Sequence, residues 1–207
     1  MKKESTVVVK RRAETMEENR KKLISAGRKA FADKGFAAAS MDELTAHAGL
    51  TRGALYHNFG DKKGLLAAVV AQVDGEMAAR AQDAAVRYED GWEKLLAQGA
   101  AYIELATDPE IQRIVLLDGP AFLGDPSQWP SQNVCLHETK LALTALASDN
   151  ILQPVDVEAA ARLLNGAALN AAQWVAASAD PQTTLPKAIA AFKYLAAGIL
   201  KVKPTAL

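Results

Sequence analysis

The chain has 207 residues, with 24 basic and 24 acidic side chains and a formal net charge of zero, and half of it is hydrophobic. This composition indicates a folded globular protein that is long enough for one substantial core or two small ones. The single cysteine, Cys135, excludes an internal disulfide and a zinc site built from several cysteines.

The sequence carries no signal for a membrane or for export. Its longest uncharged run, residues 163–179, is rich in alanine and includes Asn165, Asn170 and Gln173, so it does not resemble a membrane span. The basic start lacks the apolar stretch of a signal peptide. We therefore expect a cytoplasmic protein without a membrane partner. We expect Cys135 to be a small buried hydrophobe rather than a redox sensor.

The charges are divided unevenly along the chain. Residues 1–66 carry 14 basic and 8 acidic side chains, whereas residues 67–207 carry 10 basic and 16 acidic ones. A basic head on an acidic body is typical of a protein that binds nucleic acid through one part only.

A basic flexible arm is expected over residues 1–15, followed by a first helix over residues 16–34 that ends at Gly35. Six cations precede this helix or lie in its opening turns: Lys10, Arg11, Arg12, Arg20, Lys21 and Lys22. They form either an arm that follows phosphates or enters a minor groove, or a solubilising tail, and the sequence favours neither.

Two short helices follow. Ser40 and Glu43 have the spacing of a capping box, which predicts a helix over residues 41–48. Gly49 suits a left-handed turn, and Thr51 can cap a second helix over residues 52–58. Two short helices joined by a glycine turn indicate a helix-turn-helix unit, whose second helix enters the major groove of DNA.

The outward residues of the second helix fit that task. Arg52 can offer a bidentate fork to a guanine or a phosphate, and Tyr56, His57 and Asn58 can donate hydrogen bonds to phosphates or base edges. Lys62 opens the next helix, where a cation opposes the helix dipole unless it is aimed at a phosphate. Each of these residues also has an ordinary structural interpretation; their order along the chain favours DNA binding.

The segment LTRGALYHNFGDKKGLL, residues 50–66, resembles the DNA-binding signature of the TetR family of bacterial transcriptional repressors. The matching positions are Thr51, Leu55, Tyr56, His57, Phe59 and Lys62. The resemblance extends upstream to residues 19–36, where an inner face is formed by Leu23, Gly27, Ala30 and Phe31. It implies an all-α fold of about nine helices, with a DNA-binding domain at residues 16–66 and an effector-binding and dimerisation domain at residues 67–207.

The same resemblance implies three partners: a double-stranded DNA operator, a small organic effector and a second copy of the chain. No cofactor or metal is expected. The residues expected to contact DNA are Thr51, Arg52, Gly53, Tyr56, His57, Asn58 and Lys62. Gly53 offers almost no side chain to the groove, so base readout is expected to rest on few residues.

The remaining helices are predicted from apolar periodicity and from prolines, which are confined to residues 109–204. Their expected ranges are 62–87, 91–107, 109–117, 131–148, 155–179 and 184–202, with a loop-rich interruption from Leu116 to Pro130. The helix over 62–87 has a broad apolar face, so it can pack on the head at one end and on the body at the other.

The body is expected to hold a pocket for a small organic molecule, with aromatic walls and a few polar groups. The candidate lining residues are Trp92, Tyr102, Phe122, Trp129, His137, Asn170 and Trp174, although ordinary packing is an alternative for each. Two apolar stripes predict a dimer interface, with packing inside the subunit as the alternative. The stripes are Leu163, Ala167, Asn170 and Trp174 on one helix, and Ala188, Phe192, Leu195 and Ile199 on the last.

An enzyme is not expected, because the sequence contains no phosphate-binding glycine loop, no nucleophile turn and no metal-binding histidine pair; His137-Glu138 lacks the second histidine. The alternative to a ligand-responsive, repressing DNA-binding regulator is an all-helical small-molecule binding protein without operator function.

Overall fold

The computed structural model describes residues 2–201, and side chains from residue 13 onward. The chain is helical almost throughout. The head and its link to the body consist of α1 (Lys2–Ala38), α2 (Met41–Ala48), α3 (Arg52–Phe59) and α4 (Lys62–Ala85). The body contains α5 (Gly91–Glu104), α6 (Pro109–Ile111), a π-helix (Gln112–Asp118), α7 (Gly119–Leu123), α8 (Pro130–Ser148), α9 (Val157–Ala177) and α10 (Pro181–Ala197). Within residues 2–201 no strand forms, apart from an isolated bridge between Leu152 and Leu200.

The predicted all-α fold is therefore confirmed, and the departures from the predicted ranges are largest in three segments. The first helix begins at Lys2 rather than at residue 16, so the backbone expected to be a flexible arm is helical from residue 2; the side chains of residues 1–12 lie outside the described part. Residues 116–123, expected to be a loop, continue the π-helix into α7. The last helix ends at Ala197 rather than at residue 202.

The continuation past Leu116 has a physical explanation. A Gly-Pro pair predicts a helix end, because proline lacks an N–H and its ring clashes with the preceding turn. Pro120, however, occupies the first turn of α7, where the missing donor has no helical partner to lose. The wider turn of the π-helix thus lets the chain restart a helix at Gly119 without a loop.

α4 joins the two parts, as its apolar face predicted. Leu65, Leu66 and Val69 are fully buried at the head end, and Val73 and Met77 are buried at the body end. Burial of each such side chain contributes about 1.5–3 kcal/mol. All five belong to one core that runs from Phe31 in α1 to Phe192 in α10, so α4 packs in the head and in the body through the same continuous core.

A smaller core lies under α8 and the start of α9. It consists of Leu143, Leu146, Leu152, Ala160 and Ala161, with Trp92 packed against it. None of the helices in the described part is long and apolar enough to cross a membrane.

Candidate functional site

Side-chain caps set the geometry of α2 and α3. The Ser40 hydroxyl accepts from the Glu43 N–H at 3.1 Å, and the Thr51 hydroxyl accepts from the Ala54 N–H at 3.2 Å. Gly49 makes the turn between them with a left-handed backbone (φ 64°), which costs glycine nothing but is unfavourable for other residues. The predicted helix-turn-helix unit is therefore present with its predicted caps.

Leu55 anchors α3, since its side chain is completely buried against α1 and α4. With that face fixed, Arg52, Gly53, Tyr56 and His57 are exposed, as is the cap residue Thr51. Tyr56 is 54% exposed, so its ring and hydroxyl are accessible to a partner. Asn58 is half-buried, and its amide donates to the Ala54 carbonyl at 2.8 Å, so it is less available than predicted.

Arg52 already has a partner inside the head. Its Nε and Nη2 donate to the two carboxylate oxygens of Asp42 in α2. This hydrogen-bonded pair holds the pKa of Asp42 below its usual range and raises that of Arg52. The Arg52 guanidinium, predicted to bind a guanine or a phosphate, therefore links α3 to α2. It can contact DNA only if its hydrogen bonds with Asp42 are shared with DNA or broken.

Lys62 also has partners inside the protein. Its Nζ lies 4.5 Å from the centre of the Phe36 ring and donates to the Ala37 carbonyl at 3.4 Å. The side chain is half-buried, and this burial lowers the pKa of its ammonium group. The end of α1 thus provides a ring face and a carbonyl for the ammonium group, so a lysine at this helix start does not by itself require a phosphate.

Three of the six cations near the start of the chain have partners within the fold. The Arg20 guanidinium lies 4.8 Å from the centre of the Phe59 ring, and Lys22 pairs with Glu18 at 2.8 Å along α1. Lys21 approaches Glu17 to 3.9 Å. Lys10, Arg11 and Arg12 lie outside the residues whose side chains are described.

Two residues of α1, Arg28 and Phe36, attach it to α4 and to the body. Arg28 donates through Nε and Nη2 to both carboxylate oxygens of Glu110, at 2.7 Å each, and through Nη1 to Glu76 at 2.8 Å. Further along, the Phe36 N–H donates to Asp118 at 2.7 Å, and the Phe36 ring packs on Phe122 with ring centres 4.5 Å apart. The head is thus joined to α6, the π-helix and α7 as well as to α4.

A partly open cavity of about 70 Å³ lies in the body between α4, α5, α8, α9 and α10. Its apolar wall includes Leu95, Leu96, Leu164 and Phe192, and its polar groups come from Gln98, Tyr102, Gln132, Cys135, Thr139 and Asn165. The Tyr102 hydroxyl and Asn165 Nδ2 are buried and make no hydrogen bond of good geometry among the described residues, although Gln132 lies near the Tyr102 hydroxyl.

Of the seven predicted pocket residues, only Tyr102 lines this cavity. The other six lie elsewhere: Trp92 packs against the smaller core, Phe122 packs on Phe36, Trp129 packs against Gly119, and His137, Asn170 and Trp174 are exposed. We expected aromatic walls, but most of the cavity is lined by small, amide and aliphatic side chains. Their alanine and glycine spacing in α4, α5 and α9 was the available signal, since small residues leave room where helices meet.

Cys135 is half-buried at this cavity rather than enclosed in a core. Burial and the nearby Asp74 and Glu138 carboxylates raise the pKa of Cys135 to about 11. The thiol is therefore neutral at physiological pH, which fits the predicted role as a small hydrophobe and not that of a reactive thiolate.

α9 and α10 expose a large apolar surface. Leu163, Trp174, Tyr194 and Leu195 are between 51% and 82% exposed. The first predicted interface stripe lies on this surface, with Ala167 half-buried and Asn170 exposed. The second stripe was partly wrong: Ala188 and Phe192 are buried inside the subunit, Ile199 is half-buried and Leu195 alone is exposed.

The sequence matches two family models that together cover both parts of this architecture. Residues 23–69 match the model for bacterial regulatory proteins of the tetR family, and residues 92–199 match the model for a tetracyclin repressor-like C-terminal domain. An all-helical fold with a capped helix-turn-helix head and these two matches defines a transcriptional regulator. The chain belongs to the TetR family.

Individual relatives agree with this assignment. The crystal structure of a TetR-family transcriptional regulator from Pectobacterium atrosepticum is 46% identical, with a TM-score of 0.82 over 92% of this chain and 97% of that one. The transposon Tn10 TetC protein of Escherichia coli is 26% identical over 149 residues, which is 70% of this chain and 73% of the relative. FadR of Bacillus halodurans, a fatty acid degradation regulator, shares the fold alone, at 17% identity and a TM-score of 0.62 over 84% of this chain and 94% of that one.

Proposed function

We propose that the chain is a homodimeric transcriptional repressor that binds a palindromic operator and is released by a small organic effector. The observation that carries the proposal is the presentation of α3: Leu55 is buried, while Arg52, Tyr56 and His57 face outward on a capped helix in the basic head. Outward polar side chains on the second helix of such a unit are what major-groove recognition requires.

The exposed surface of α9 and α10 supports the dimer. Large apolar side chains such as Tyr194 and Leu195, 82% and 70% exposed, are typical of a surface that a partner covers. Pairing of these helices with those of a second copy forms a four-helix bundle with two-fold symmetry. Such a dimer recognises an inverted repeat whose half-sites are about 34–36 Å apart, or a multiple of this distance.

α4 supplies the link between effector and DNA. Ala78 and Ala81 of α4 line the cavity, and Leu65 and Leu66 at its other end pack in the core of the head. A ligand that moves the body end of α4 therefore changes the position of the head, and the two α3 helices no longer fit successive major grooves. Coupling of this kind is typically worth about 1–3 kcal/mol.

The experiment is a fluorescence anisotropy titration of the dimer with labelled duplexes taken from the DNA beside its own gene. Tight binding to one segment, lost in a Tyr56→Ala/His57→Ala double variant and retained in Lys187→Ala on α10, supports operator recognition. Failure of every flanking segment to bind more tightly than random DNA contradicts it.

The second candidate is a small-molecule binding protein that does not bind an operator. It is favoured by the contacts of Arg52 with Asp42 and of Lys62 with Phe36 and Ala37, which engage two of the predicted DNA contacts inside the protein. The titration distinguishes the two functions, because this candidate retains ligand binding while no DNA segment is preferred.

A further inference from the structure

The cavity separates its apolar and polar groups. Leu95, Leu96, Ala168 and Phe192 provide hydrocarbon surface, while Tyr102 and Asn165 bring buried polar atoms that make no hydrogen bond of good geometry, although Gln132 lies near the Tyr102 hydroxyl. A buried polar atom that lacks a hydrogen bond is costly, so two of them at one cavity mark a place where a ligand atom or water completes the bonding.

Asn165 can act as donor or acceptor towards a ligand. The Thr139 hydroxyl lies 2.9 Å from the Cys135 carbonyl and 2.9 Å from Asn165 Oδ1, but it has a single proton to donate. If that proton goes to the Cys135 carbonyl, a turned Asn165 amide donates to Thr139 and presents its oxygen to the cavity instead of its nitrogen. A ligand hydroxyl, which both donates and accepts, matches either orientation and also the Tyr102 hydroxyl.

The charges around the cavity disfavour an anion. None of the described residues that line it is basic. The nearby ionisable groups are acidic: Asp74, which is 2% exposed and accepts from Gln132 at 3.3 Å, and Glu138, which hydrogen-bonds to Gln82. A carboxylate or phosphate entering this cavity loses its water without gaining a counter-ion, which is strongly unfavourable.

The cavity also limits the size of the ligand. Its 70 Å³ is about five times the ~10–15 Å³ that a single water needs on this measure. Benzene fits a cavity of ~150 Å³ on the scale on which one water in the liquid takes ~30 Å³, so it also corresponds to about five waters. The space thus suits one six-membered ring with a short substituent.

We propose that the effector site takes a small, uncharged, single-ring molecule with a hydroxyl group, which bonds Tyr102 and Asn165 while its ring contacts Leu95, Leu96 and Phe192. This inference rests on the proposed ligand response, and it names the chemical class of the ligand. Gly99 helps to define the site, since a Cβ there would lie 2.4 Å from the Phe192 ring.

The test uses four probes of nearly equal shape: benzyl alcohol, toluene, benzylamine and benzoate. Calorimetric titration of the intact protein is expected to show benzyl alcohol binding at least tenfold more tightly than benzoate and more tightly than the other two. Equal or tighter binding of benzoate or benzylamine, or no binding of benzyl alcohol up to its solubility limit, overturns the proposal.

Substitutions test whether benzyl alcohol binds in the cavity. Tyr102→Phe removes one hydroxyl and is expected to lower the affinity for benzyl alcohol about three- to tenfold, the value of one hydrogen bond, without lowering the affinity for toluene. Tyr88→Phe, outside the cavity, is the matched control. Ala78→Leu fills the cavity and is expected to abolish binding, whereas Ala79→Leu on the exposed side of α4 does not. Benzyl alcohol binding unchanged by Tyr102→Phe and Ala78→Leu overturns the assignment.

DNA binding is measured separately with the same protein samples. If the operator is recognised but benzyl alcohol does not bind, the ligand class is wrong and the regulator stands. If benzyl alcohol binds in the cavity but no DNA segment is preferred, the ligand class stands and the proposed operator function is wrong.

Discussion

The backbone N–H of Phe36 donates to the Asp118 carboxylate at 2.7 Å, so the end of the first helix of the head is bonded directly to the π-helix of the body. Gly35, immediately before it, has φ 78° and ψ 163°, a conformation that breaks the helix and turns the Phe36 N–H away from the helical ladder. A hydrogen bond to a charged acceptor is typically worth about 1.5–3 kcal/mol. The junction therefore depends on a glycine conformation as well as on side chains.

Gly35→Ala is expected to lower the free energy of unfolding by about 1–3 kcal/mol, because this backbone region is accessible essentially to glycine alone. The new Cβ would also lie 3.1 Å from Arg113 Nη1 and 3.3 Å from Asp118 Oδ2. Gly75→Ala is the control, since Gly75 lies in α4 with nothing within 4 Å of a Cβ, and it should stabilise the protein by about 0.5–1 kcal/mol. Chemical denaturation measures both changes; equal effects would show that the conformation at Gly35 is not required.

The pair formed by Arg52 and Asp42 leads to a prediction about DNA affinity. Asp42→Asn removes the charge that competes with phosphates for Arg52, so it is expected to tighten binding to random DNA and to steepen the salt dependence by about one unit of slope. Arg52→Ala is expected to weaken binding to the best operator by about 1–3 kcal/mol and to relax base preference at one position per half-site. Unchanged DNA binding in Arg52→Ala, with a lower melting temperature, would identify Arg52 as a tie between α2 and α3 only.

The local geometry of the head could be predicted because its signals lie within a few residues. The caps at Ser40 and Thr51 and the burial of Leu55 follow from spacing alone. The partners of Arg52 and Lys62 could not be predicted, because Asp42 and Phe36 reach them across turns whose angles depend on tertiary packing. Periodicity likewise places Phe192 and Leu195 on one side of α10 but does not say that the first faces the subunit core and the second faces outward.

Substitutions at Lys62 can distinguish its observed contact with Phe36 from the expected contact with a phosphate. Lys62→Met keeps an apolar stem against Phe36 but removes the charge, so it is expected to flatten the salt dependence of DNA binding by about one unit with little loss of stability. Lys62→Ala should flatten it equally and also cost about 0.5–1 kcal/mol of stability, through the lost contact with the ring. Lys63→Ala, at an exposed neighbouring position, controls for a general loss of charge. A slope that neither Lys62 variant changes would exclude a phosphate contact.

Asp74 leads to a prediction about pH. Burial raises its pKa, so the folded state holds a proton more tightly than the unfolded chain does, and the carboxylate destabilises the fold at pH values above its folded pKa. The penalty shrinks as the pH falls through that pKa and is absent below the ordinary value of about 3.9. Asp74→Asn should therefore stabilise the protein at pH 7, by on the order of 1–3 kcal/mol, and by less at pH 4.

Chemical denaturation at the two pH values measures the effect of Asp74→Asn. The control is Asp83→Asn, an exposed position on the same helix, which should change stability little at either pH. A loss of stability in Asp74→Asn at pH 7 would show that the contacts of the carboxylate with Gln132 and Ser131 outweigh its desolvation.

The last prediction concerns assembly. A single head buries only about 600–1,000 Å² of its own surface on DNA, too little for tight specific binding, so two heads must act together. Leu195→Glu places a charge on the exposed face of α10 without entering the core, unlike a substitution at Phe192, which is 5% exposed. It should give a folded monomer that loses operator affinity although no residue of α3 has changed, while Gln182→Glu, exposed at the start of α10, should remain dimeric. Light scattering at micromolar concentration provides the measurement, and a mass near the 22.0 kDa of one chain for the unaltered protein would contradict the dimer.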